Sequence, residues 1–196
     1  EAMIVTGVGQ HQMWAAQYYR FKHPRRWCTS GGLGTMGYGL PTAMGVAAAW
    51  PDRLVVNIDG DGSFQMNSQE LATCHDNGLA VKTIIINNGG HGMVRQWQGI
   101  IYKGRFCSID LGPSPDFVKL AEAYGCAGIR ATKPSEVVPA LEEAFATPGP
   151  VVVDVSVDKW EYVFPMVPAG GANTDMILED PGAAAKDKAA KAQTGF

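Results

Sequence analysis

Short, almost wholly apolar runs alternate along this chain with longer segments of helical character. Met3 to Thr6 is predicted as a strand that ends in the Gly7-Val8-Gly9 turn, and Gln12 to Tyr19 as a helix. Gly31 to Gly39 reads as a glycine-dense loop. Pro41 then falls where a first helical turn tolerates proline, and the alanine-rich stretch up to Trp50 is predicted as a buried helix. Leu54 to Ile58 and Val81 to Ile86 carry little polar alternation, the pattern of strands covered on both faces. Between them a helix from about Ser68 to Asp76 is predicted to stop at Asn77-Gly78. A helix from Pro115 or Asp116 to Tyr124 ends at Gly125, another spans about Ser135 to Ala146, and Val151 to Val157 is the last strong strand. This alternation implies an α/β fold, a doubly wound and mostly parallel sheet flanked by helices.

After Pro168 the character changes. Gly170-Gly171 leads to an Ala/Lys-rich end, Ala183 to Ala192, with little to bury. Residues 1–168 are therefore expected to form one domain and residues 169–196 a tail, partly flexible or loosely helical. The opening Glu1-Ala2-Met3-Ile4-Val5 does not resemble a signal peptide and reads as a chain entered at a strand.

Composition narrows the function classes. A chain of 196 residues with 46% apolar and 18% charged residues can build a packed core without cross-links. The net charge is −3 and no basic run exceeds a pair such as Arg25-Arg26, so no nucleic-acid partner is expected. No run of about 18 apolar residues suggests a membrane span. Cys28, Cys74, Cys107 and Cys126 are scattered with no Cys-x-x-Cys pair, which reads as buried or free thiols.

The chemistry concentrates at two predicted strand ends. Gly60-Asp61-Gly62-Ser63 closes one apolar strand and Asn87-Asn88 closes the next. In a parallel sheet both ends open on the carboxyl edge, so Asp61 and Asn88 are expected to share a crevice. One carboxylate and one amide oxygen are too few for a full protein cage, but they suit Mg²⁺, which completes an octahedral shell with water and phosphate oxygens. The glycines let backbone N–H groups approach an anion, and Ser63 adds a hydroxyl near a helix start. Gly-Asp-Gly alone would more often be a plain strand-turn-helix with a capping Asp. The Asn-Asn pair at the next tip outweighs that reading.

These two motifs together resemble the signature of thiamine-diphosphate enzymes. Gly7-Val8-Gly9-Gln10-His11-Gln12-Met13-Trp14, Ser30 to Gly37, Gly92-Met93-Val94-Arg95-Gln96-Trp97, Pro115-Asp116-Phe117 with Leu120 to Ala123, and Pro165-Met166 narrow it. They resemble the C-terminal cofactor domain of acetohydroxyacid synthases, over about residues 3 to 180. The resemblance implies Mg²⁺ ligation by Asp61, Asn88 and the Gly90 carbonyl. It implies diphosphate contacts from Gln10, His11, Gly60, Gly62, Ser63 and the stretch His91, Gly92 and Met93. Gly34 and Met36 would lie against the cofactor's rings, with Met36 enforcing the bend that makes it reactive, and Trp97 would face the second substrate. The cofactor serves as an electron sink in decarboxylating condensation of two 2-keto acids, towards branched-chain amino acids.

The resemblance also implies what surrounds the domain. The glutamate that activates the cofactor belongs to an N-terminal pyrimidine-binding domain, and FAD to a middle domain. Homo-oligomers (dimer or tetramer) and a small regulatory subunit are the implied partners, in a bacterial cytoplasm, a plastid or a mitochondrion. By itself the chain is expected to bind cofactor weakly and to be inactive. Competing readings are a pyruvate oxidase or benzoylformate decarboxylase relative and a non-catalytic binding module. Gly32-x-Gly34-x-x-Gly37 fits a dinucleotide fingerprint but lacks its βαβ context, and Glu70 reads as a helix-face residue.

Overall fold

The computed structural model describes residues 2–112 and 115–180. Strands β1 (Met3–Thr6), β2 (Trp27–Thr29), β3 (Val55–Gly60), β4 (Val81–Asn87), β5 (Ala127–Ala131) and β6 (Val151–Ser156) form one sheet in the order β2-β1-β3-β4-β6-β5, every pair parallel. Helices α1 (Gln10–Tyr18), α2 (Gly39–Ala49), α3 (Asp61–Gln65), α4 (Leu71–Asp76), α5 (Gly92–Ile100), α6 (Phe117–Ala123) and α7 (Pro134–Ala146) connect and flank the strands. The chain runs outward from β1 to β2, then crosses back to β3 on the other side of β1. That reversal leaves a crevice at the carboxyl ends of β1 and β3, where open parallel sheets bind ligands.

Apolar strand residues form the core because helices cover both faces. Val5, Val55, Val81, Ile85 and Val152 are almost wholly shielded and pack with Leu40, Ala43, Leu71 and Phe117. Burial of each large side chain contributes roughly 1.5–3 kcal/mol. A second cluster, Ala140 and Ala144 against Val151 and Val153, seats α7 on the β5–β6 end. Asp116 caps α6, its Oδ1 accepting from the N–H groups of Val118 and Lys119. Gly78, in the left-handed region at φ 62, ends α4.

Several elements depart from the expectations. α1 starts two residues before Gln12, which puts Gln10 and His11 in its first turn. The helix expected from about Ser68 to Asp76 is a 3₁₀ turn at Ser68–Glu70 followed by α4, and the short α3 precedes it unforeseen. Between α3 and that turn stands Asn67, whose side chain donates to the Gly37 carbonyl at 2.7 Å. Neither α5 nor β5 is foreseen by the apolar pattern. Beyond Pro168, Ile177 forms an antiparallel bridge back to Met166, and Ala183 to Ala192 lies outside the described residues. Among the described residues no helix is long and apolar enough to cross a membrane.

Candidate functional site

A cavity of ≈ 360 Å³ opens at the carboxyl ends of β1, β3 and β4. The β1 end contributes Gln10 and His11 from the start of α1, and the β3 end contributes Gly60, Asp61, Gly62 and Ser63. The segment after β4 contributes Asn88, Gly90, His91, Gly92 and Met93, with Trp97 exposed on α5 at the rim. Gly34 and Met36 reach it from the loop before α2. Every site residue read from the sequence therefore borders one space. Val8, Trp14, Ile86 and Val94 line it as well.

Asp61 and Asn88 share a neighbour. The Gly90 N–H donates to Asn88 Oδ1 at 3.3 Å and also stabilises the Asp61 carboxylate. Asp61 Oδ2 is buried with no hydrogen-bond partner among the described residues. Burial pushes the Asp61 carboxyl up to about 6, against the opposing pull of the Gly62 and Gly90 N–H groups and the Arg95 guanidinium. A buried acceptor left open in this way costs free energy unless a cation or donor completes it. Among the described residues no cluster of three His, Cys, Asp or Glu side chains could hold a metal ion. The donor set is thus one carboxylate, one amide and backbone oxygen, suited to a hard cation that keeps outside oxygen ligands.

Two predicted anion contacts are engaged elsewhere. Both amide hydrogens of Gln10 are committed, to Gln96 Oε1 and the Glu161 carbonyl, each at 3.0 Å. In this conformation its side chain has no donor left for a phosphate, while the leading N–H groups of α1 have no intrahelical partner. Ser63 Oγ accepts from the N–H groups of Val8 and Gly37 and bonds to the buried Asp59 carboxylate. The hydroxyl pins three loops together instead of facing the cavity as a free donor.

Asp59 is a residue that sequence reasoning left without a role at this site. It is fully buried, and burial lifts its carboxyl to about 6 despite hydrogen bonds from Ser63, Gly60 and Asn57. Its Oδ1 lies 3.6 Å from His11 Nε2. Arg95 is the other omission: the guanidinium is fully buried, has no hydrogen-bond partner among the described residues, and lies 5.5 Å from the Trp160 ring centroid. Asp59 directly precedes the quoted Gly60, and Arg95 stands inside the quoted Gly92 to Trp97 motif, where no role was given to it. Glu70 sits outside the cavity and accepts from the Thr73 hydroxyl at 2.9 Å.

His11 gives a signed pH prediction. Burial pushes its imidazole down to about 3 from the ordinary 6.5, with a Gly7 backbone hydrogen bond opposing. Below pH 6.5 the unfolded chain takes a proton that the folded chain refuses, so stability falls as pH drops from 6.5 towards 3. A His11→Gln variant lacks this contribution. Relative to that variant, the native chain is expected to lose about 2 kcal/mol between pH 7.5 and pH 5. Urea unfolding of both proteins at the two pH values checks it, and an unchanged difference between them would contradict the assignment.

The chain matches the family described as "Thiamine pyrophosphate enzyme, C-terminal TPP binding domain" over residues 7–155. It is 50% identical over 189 residues to acetolactate synthase 1, chloroplastic, of Oryza sativa subsp. japonica, covering 93% of this chain and 29% of that protein. It is 51% identical over 181 residues to the acetolactate synthase of Mycobacterium bovis, covering 90% of this chain and 29% of the relative. The chain thus spans less than a third of the length of these curated relatives.

Proposed function

The chain belongs to the thiamine pyrophosphate enzymes as their C-terminal TPP-binding domain, and from that premise we propose that its cavity holds the cofactor's diphosphate through a magnesium ion. Asp61 and Asn88 supply side-chain oxygens and Gly90 its carbonyl. The observation that carries this reading is the unpartnered, buried Asp61 Oδ2 beside the N–H that Asp61 shares with Asn88 Oδ1. The N-terminal turns of α1 and α5 both begin at this cavity and present backbone N–H groups that favour an anion. His11, neutral at ordinary pH, offers a hydrogen bond there. Met36 provides apolar support for the ring system, and Trp97 at the rim faces the second substrate. When bound, the cofactor supplies an electron sink for decarboxylating a 2-keto acid.

For the whole protein the relatives' names support an acetolactate synthase. Two 2-keto acids, pyruvate with pyruvate or 2-ketobutyrate, would condense with loss of CO₂ on the route to branched-chain amino acids. Among the described residues no glutamate side chain lines the cavity, so the activating acid is assigned to another domain of the whole protein, and the family resemblance places FAD outside this domain too. A homo-oligomer and a small regulatory subunit complete the assembly, in a bacterial cytoplasm or a plastid.

Calorimetric titration tests this reading. Thiamine diphosphate is expected to bind the chain in excess Mg²⁺ and at least about tenfold more weakly with EDTA. The chain is expected to consume no pyruvate. Binding indifferent to EDTA would remove the metal, and acetolactate formed by the purified chain would remove the need for outside domains.

A further inference from the structure

Three buried side-chain amides form a directed chain that ends on the metal-facing residue. Asn88 Nδ2 donates to Gln10 Oε1 at 3.1 Å, and Gln10 Nε2 donates to Gln96 Oε1 at 3.0 Å. Gln96 Nε2 then donates to the Val163 carbonyl at 2.9 Å. Gln10, Gln96 and Asn88 are 3%, 2% and 8% exposed, so water does not substitute for any link.

An isolated amide can turn over, exchanging its oxygen and nitrogen at little cost. This chain cannot, because its far end is anchored to backbone. The Val163 N–H can only donate, and it donates to Gln96 Oε1 at 2.8 Å, while the Val163 and Glu161 carbonyls can only accept. Gln96 is therefore fixed in one orientation, Gln10 is fixed jointly by Gln96 and the Glu161 carbonyl, and Asn88 must turn its nitrogen towards Gln10. Its oxygen is left on the side of the Gly90 N–H, beside Asp61.

We infer that Gln96 is a positioning residue: with Gln10 and the 161–163 backbone, it dictates that Asn88 presents oxygen, not nitrogen, to the cation. The inference rests on the metal reading given above. It assigns Gln10 a task its position in the first turn of α1 did not suggest. It also makes the segment after β6, more than sixty residues from α5 in sequence, part of the metal site's support.

At position 96 the relay requires an acceptor for one Gln10 hydrogen, the Glu161 carbonyl holding the other. Gln96→Glu keeps one, whereas Gln96→Met removes it. For thermal stability the order reverses, because Gln96→Glu sets a carboxylate oxygen against the Val163 carbonyl and buries a charge. Titrating Mg²⁺ at fixed thiamine diphosphate, followed by tryptophan fluorescence, is expected to show Gln96→Met about tenfold weaker, as for outer-shell partners generally. Gln96→Glu is expected to stay within about threefold of the native chain, although its melting temperature is the lowest of the three. Gly92→Ala is the second disruption. Its Cβ would stand 2.0 Å from Gln10 Oε1 and 2.4 Å from Asn88 Nδ2, and the same loss is expected. Equal affinities for the native and Gln96→Met chains, or equal losses for Gln96→Met and Gln96→Glu, would overturn the relay. An Asp61→Asn chain run alongside separates the two ideas: if it too keeps its Mg²⁺ dependence, the metal reading itself has failed.

Discussion

Asp61→Asn is expected to weaken magnesium-dependent binding of thiamine diphosphate by at least about 100-fold, more than outer-shell partners cost. The substitution preserves volume and an oxygen, so the fold should survive. What it removes is, among the described residues, the only carboxylate lining the cavity, from a buried site where its Oδ2 has no protein partner. A diphosphate and a carboxylate repel each other unless a cation lies between them, so the variant separates two cases. If Asp61 binds the metal, affinity in Mg²⁺ collapses while metal-free binding stays level or improves. If Asp61 were a structural cap, both affinities would change alike. Stability points the same way. The ionised, buried carboxylate is costly without metal, since its pKa is raised to about 6, so the metal-free variant should be at least as stable as the native chain at pH 7.5. Calorimetry with and without EDTA, together with thermal melting, decides between them.

Gly7→Ala is expected to destabilise the chain by at least about 3 kcal/mol, the upper range for overpacking. A Cβ at position 7 would stand 1.8 Å from Asp59 Oδ1 and 2.7 Å from Ser63 Oγ. The carboxylate has no room to retreat, because a Cβ at Gly39 would come within 2.4 Å of Asp59 Oδ2 on its other side. Two glycines, at the end of β1 and the start of α2, thus form a slot for one buried side chain. A fall in melting temperature of roughly 6–12 °C is the expected reading for a chain of this length. Gly45→Ala is the matched control, since nothing lies within 4 Å of its Cβ, and it should stabilise α2 by about 0.5–1 kcal/mol. Adding Asp59→Ala to Gly7→Ala should restore part of the loss, because the deleted carboxylate makes room for the methyl. Strict additivity of the two changes would mean that the clash is not the cause.

The amino-acid order alone determined the sheet type and the address of the site. Runs such as Val81 to Ile86 are almost unbroken in apolar character towards their ends, which suits a doubly covered strand, and parallel strands place successive tips on one edge. Asp61 and Asn88 could therefore be assigned to a common crevice before any coordinates. Short-range signals sufficed there because adjacent strands of one βαβ unit have a single favoured handedness. Where the pattern was weak, packing decided. β5 reads Ala-Gly-Ile-Arg-Ala, half exposed at the sheet edge, and its extended form comes from pairing with β6. α5 contains Gly92 and Gly99, residues that disfavour helix, yet Gly99 admits the Tyr162 hydroxyl where a Cβ would stand 2.2 Å away. Hydrogen-bond commitments were also invisible. Gln10 looks like a phosphate donor in its motif, but its hydrogens go to Gln96 and Glu161, far along the chain. Periodicity and spacing report which face a residue occupies; which atom of an amide points at a ligand depends on partners that only the folded backbone brings within about 3 Å.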